Sequence, residues 1–92
     1  MSIGNLPVGA AYPITVSGNV KSGQGAMMGI FVASVSGTPT ITVYDDAATG
    51  TAKKLVDTFT PVASAWYPMP MGFGSGCNVV LGGTVSATVV LA

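Results

Sequence analysis

Ser36-Gly-Thr-Pro-Thr-Ile-Thr-Val-Tyr44 is the stretch that decides the fold class. Thr40, Thr42 and Tyr44 alternate with Ile41 and Val43, and a period of two puts the polar and apolar sets on opposite faces of a half-buried antiparallel strand. Ser36-Gly37-Thr38-Pro39 reads as the turn leading into it. Upstream, residues 26–34 are nearly all apolar, which predicts a central strand covered on both faces. Gly29 within that run predicts a bulge or a close approach by a facing side chain. Ser22-Gly23-Gln24-Gly25 is a loop. A first strand is expected over residues 13–17, then a turn or bulge at Ser17-Gly18-Asn19 and a short strand around Val20.

Downstream the same pattern continues. A loop spans residues 45–53 and a strand residues 54–60. In residues 64–71, Trp66, Pro68 and Pro70 alternate with Tyr67, Met69 and Met71. Alternate N–H groups of a strand point to one lateral edge, so the two prolines remove donors from that edge alone. This describes an edge strand with one side blunted against pairing. Residues 72–76 form a glycine-rich loop. Two last strands, residues 77–81 and 84–91, are joined at Gly82-Gly83, which reads as a tight hairpin. No segment sustains a helical period. Valine and threonine, stiff at χ1 and suited to strands, dominate. The expectation is all-β: one small β-sandwich of seven or eight antiparallel strands, jelly-roll-like, over residues 13–92, preceded by an extended arm over residues 1–12.

Composition bounds the chemistry. The 92 residues hold three lysines, three aspartates and no histidine, with zero net charge. Charged residues make up 7%, against about 25% in an ordinary domain. Without histidine, Ser-His-Asp and Cys-His catalysis and histidine zinc sites are gone. Asp45-Asp46 is followed by Ala47-Ala48, which offers a hard cation only backbone oxygens. The pair reads as a solvated turn. Gly23-Gln24-Gly25 and Gly72-Phe73-Gly74-Ser75-Gly76 lack the phosphate-loop lysine and open no helix. Cys77 begins a strand with no base nearby and reads as an inert buried thiol. No catalytic residue, cofactor or metal is expected. Three lysines do not make a nucleic-acid surface. The longest apolar run is about ten residues, against about 20 for a spanning helix. Residues 1–12 carry neither positive charge nor a continuous apolar run, so synthesis in a cytoplasm without export, and no membrane partner, are expected.

The placement of charge says more than its amount. Asp45, Asp46, Lys53 and Lys54 lie in or beside one loop, Asp57 lies close by, and only Lys21 lies elsewhere. That loop is expected to face water and the rest mostly to face protein, because near-zero charge leaves little repulsion between molecules. Candidate contact residues are Ile3, Leu6 and Val8 of the arm, with Trp66, Tyr67 and Met69 of the proline-bearing strand. Two readings of that strand stay open. Tyr67 and Met69 are core and Trp66 half-exposed, or the exposed face docks on a subunit.

Three strings together carry a resemblance: Gly25-Ala-Met-Met-Gly-Ile-Phe-Val-Ala-Ser34, Thr40-Ile-Thr-Val-Tyr-Asp45 and Val79-Val-Leu-Gly-Gly-Thr-Val-Ser-Ala-Thr-Val-Val-Leu91. In their order and spacing the chain, from Pro13 to Leu91, resembles small all-β virion proteins of tailed bacteriophages, especially capsid decoration or cement proteins. The resemblance implies a non-enzymatic structural role on the outside of a head shell. Its implied partners are the major capsid protein and further copies of itself, often as a trimer. It carries over no catalytic motif. The alternatives are a tail, fibre or head–tail connector component and, in a different class, a small carbohydrate-binding module using Trp66 or Tyr67.

Overall fold

A computed structural model describes residues 10–92. Six strands follow in order: β1 (Ala10–Ile14), β2 (Gly18–Ser22), β3 (Gly25–Tyr44), β4 (Lys54–Phe59), β5 (Ala65–Phe73) and β6 (Gly76–Leu91). Among the described residues there is no helix. All pairings are antiparallel and belong to one sheet. β3 and β6 form its spine, pairing from Met27↔Leu91 to Tyr44↔Asn78. β6 carries β1 and β2 on its other edge, and β3 carries β5 and β4 on its own.

The sheet is bent back on itself. A straight strand of 20 residues would run about 66 Å at roughly 3.3 Å per residue, yet the longest extent of the molecule is 42 Å. Both ends of β3 meet the same turn. Gly25 pairs with Phe73, while Asp45, just past the other end, accepts hydrogen bonds from Gly74, Ser75 and Gly76. The bend falls where the register jumps from Ser36↔Thr84 to Thr40↔Gly82, so that residues 37–39 stand opposite Gly83 alone. Gly37 (φ 71°) and Gly83 (φ 80°) supply the left-handed backbone that this corner needs. Buried Pro39 lies against Gly83, its Cα 3.2 Å from where a Cβ would stand.

That corner corrects the expected count of seven or eight strands to six. Gly82-Gly83 is not a hairpin: the residues on either side of it both pair with β3. Ser36-Gly37-Thr38-Pro39 likewise lies within β3. Glycine lets both strands turn together without leaving the ladder, so two expected pairs of strands are two long bent ones. The expected strand over 13–17 begins earlier, at Ala10, so Ala10 to Tyr12 pair with β6 instead of belonging to the arm. Residues 1–9, with Ile3, Leu6 and Val8, lie outside the described residues.

The bend divides the sheet into two halves. One contains β1, the first part of β3, β5 and the second part of β6. The other contains β2, the first part of β6, the second part of β3 and β4. A single apolar core joins them: Met27, Ile30, Val32, Val85, Ala87, Val89 and Leu91 from the first half, and Ile41, Val43, Cys77 and Val79 from the second. Burial of such side chains contributes about 1.5–3 kcal/mol each relative to exposure.

Candidate functional site

Every charged side chain of the described residues lies in the second half or in the loop leading from β3 to β4. The first half carries none. The difference extends to what covers each outer face, the side away from the core.

On the charged half the chain covers itself. Cys77 and Val79 point to the core, so Asn78, between them, points outward, paired across the ladder with Asn19. These amides hold the loop over residues 46–50. Asn19 Nδ2 donates to the carbonyls of Asp46 (2.9 Å) and Ala48 (2.7 Å), and Asn78 Nδ2 to that of Gly50 (3.0 Å). Ser22 Oγ donates to the Ala47 carbonyl at 3.0 Å. The Asp46 carboxylate closes the loop from within, accepting from the Ala48 and Gly50 N–H groups.

Asp45 departs from expectation. It was placed with the solvent-facing residues, but it is only 8% exposed. Its Oδ1 accepts from the N–H groups of Ser75 (2.7 Å) and Gly76 (3.1 Å), and Oδ2 from that of Gly74 (3.1 Å). Lys53 Nζ stands 3.8 Å away. The Ser75 N–H, then that of Gly74, hold this carboxyl below its ordinary range, with Gly76 and Lys53 adding and burial opposing. The acid is an anchor for the turn between β5 and β6. Nothing near it in sequence announces this, because its donors lie some thirty positions on; the only signal is a run of small residues offering unobstructed N–H groups. Lys53 and Lys54 are exposed, as expected. Lys54 pairs with Asp57 at 2.9 Å on the surface. Cys77 is buried, which pushes its thiol up to about 11, far from a nucleophile's range.

The uncharged half shows the opposite finish. Residues 26–34 are central in the ladder, paired with β5 on one edge and β6 on the other. Being central does not make the run covered on both faces, and here the expectation needs correction. Met27, Ile30 and Val32 are buried, but Phe31 is 41% exposed on the outer side. The registers place Pro13, Thr88, Phe31 and Trp66 in one row across all four strands. Ala11, Val90, Gly29 and Pro68 form the next. Sequence reading missed Phe31, Thr88 and Val90 as part of this face, since only the register brings them together.

Trp66 is the fixed point of that face. It is 46% exposed, and its ring lies on Gly29: a Cβ there would stand 2.7 Å from indole Cη2, 2.8 Å from Cζ2 and 2.5 Å from the Tyr67 carbonyl. Both expectations for Gly29 hold, since the register also shifts between Met27 and Gly29. β5 pairs only with β3, so the proline-bearing strand is an edge strand. Its alternation is also as read. Tyr67, Met69 and Met71 pack on the core side, and Trp66, Pro68 and Pro70 are exposed. Tyr67 is held further by its ring against Phe59 (5.1 Å) and by its hydroxyl, which accepts from Val62 N–H (2.9 Å). Of the expected contact residues, then, Trp66 faces outward while Tyr67 and Met69 face inward.

No family model, curated protein or solved structure matches this chain.

Proposed function

We propose that this chain is a non-enzymatic structural protein of a tailed-bacteriophage virion, a decoration or cement protein that binds the outside of the assembled head shell. The observation that carries the reading is the uncharged half-sheet, which presents Phe31 and Trp66 among Pro13, Thr88, Pro68 and Val90 with no charge to desolvate. Such a face suits a protein partner, because aromatic side chains are enriched and charges depleted at interface centres. The resemblance of the three strand strings to phage virion proteins supplies the kind of particle. On this reading the bent sheet works as a two-layer sandwich with jelly-roll-like wiring. One layer meets the major capsid protein, and the charged half faces water.

The mechanism is mass action. A protein that binds the assembled shell and not its separated subunits stabilises the shell by its binding free energy, about 2.7 kcal/mol per site at a hundredfold excess over Kd. Many modest contacts, repeated over a lattice, add to a large effect. The test compares virions prepared with and without the chain. DNA release on heating or in chelator is expected at milder conditions without it, and unchanged release overturns the reading. The chain alone, added back to depleted shells, is expected to sediment with them.

A further inference from the structure

We infer that the uncharged outer face is also self-complementary: two copies of this chain associate through it, face to face about a twofold axis. Under a twofold each patch meets itself. A patch of one charge sign then repels its copy, whereas a patch with no charge meets no such penalty. The first half has none, while the second would have to desolvate exposed Lys21, Lys53, Lys54 and Asp57. The charged half also has its face engaged already, by the loop that Asn19, Ser22 and Asn78 hold.

The face is prepared for contact. Trp66 is pinned on Gly29 and Phe31 is its cross-strand neighbour. Little side-chain freedom is therefore lost when a copy covers them. Size sets the strength. Four strands about 4.8 Å apart and roughly six residues long give about 400 Å² of flat area. A standard stable interface takes about 800 Å² of accessible surface per partner. The pair is accordingly weak, forming at high protein concentration and readily exchanged for a larger partner surface.

Sedimentation velocity of the isolated protein over a wide concentration range tests this directly. The wild type is expected to move from monomer toward dimer as concentration rises. Phe31→Lys and Thr88→Lys, each putting like charges against each other across the axis, are expected to weaken association about tenfold or more. Thr51→Lys, in the loop of the charged half, is expected to associate as the wild type does. Circular dichroism melts show which variants remain folded, and two substitutions on different strands keep the test informative if one does not. A wild type that stays monomeric throughout overturns the inference, as does a folded Phe31→Lys or Thr88→Lys protein that associates normally. So does dimerisation that appears only when residues 1–9 are deleted, which would make that segment the occupant. Because the measurement needs no virion, its failure leaves the proposed shell binding to its own experiment.

Discussion

The two halves of the bent sheet share two strands and one core, yet their outer faces are finished in different ways. One is roofed by the chain's own loop, tied down by Asn19, Ser22 and Asn78. The other ends in Phe31, Trp66 and prolines, with no polar side chain tying a loop across it among the described residues. Sheet faces demand cover when they are apolar and tolerate water when they are polar. Here the polar half covers itself and the apolar half does not, the reverse of what a free monomer needs. The contrast teaches that charge poverty in this chain is local, and that it marks a surface.

The largest expected effect tests whether the halves are one body. Ile30→Ala in the uncharged half and Ile41→Ala in the charged half each empty a fully buried site. Each should cost about 2–5 kcal/mol. Denaturant unfolding followed by Trp66 fluorescence and by circular dichroism should give one coincident transition for both variants; a half that melts first would break the comparison. Next comes Gly29→Ala, which drives a methyl into the Tyr67 carbonyl and the Trp66 ring. About 1–3 kcal/mol of destabilisation is expected, with a shift in Trp66 emission that an equally destabilised core variant does not show.

Asn19→Ala sharpens the other side. It removes two hydrogen bonds to the loop, worth about 1–2 kcal/mol together. Hydrogen exchange should quicken over residues 46–50 and stay unchanged in β5. A graded response is expected with acid. The Asp45 carboxyl titrates in the folded protein below its ordinary 3.8, so its stabilisation is complete above that value and is lost as pH falls through the folded pKa. Melting temperature should therefore hold down to about pH 4 and fall below it. Asp45→Asn should lower the melting temperature at neutral pH and flatten most of the acid fall. The smallest effect belongs to Lys54→Ala. Its partner Asp57 is exposed, so no measurable change in melting temperature is expected.

The sequence made some of this legible and hid the rest for physical reasons. The alternation of residues 40–44 and 64–71 is local, and it placed Ile41, Val43, Tyr67 and Met69 correctly toward the core. The prolines told the edge character of β5 because a missing N–H acts on the spot. Gly29 announced a close approach, but naming Trp66 as the visitor needed the register of β3 against β5. The bend at Gly37 and Gly83 was taken for turns, since a glycine pair that closes a hairpin and one that bends two paired strands look alike until the pairing is known. Asp45 was hidden for the same reason. Its charge suggested water, and the three N–H groups that bury it come from a turn some thirty residues away.

The position of β6 as the shared spine has a consequence for how the chain is made. β6 follows every other strand in the sequence and is the ladder partner of β1, β2 and β3. While a ribosome is still adding residues 76–91, only β4 and β5 have their partner, and β1 and β2 wait without one. Folding is therefore an event that follows synthesis of β6 instead of accompanying elongation, and nearly all of its contacts are long-range ones that form slowly. Until then the strands with no charge to repel one another are bare. The nascent chain should be most prone to aggregate in that interval, and to need a chaperone there.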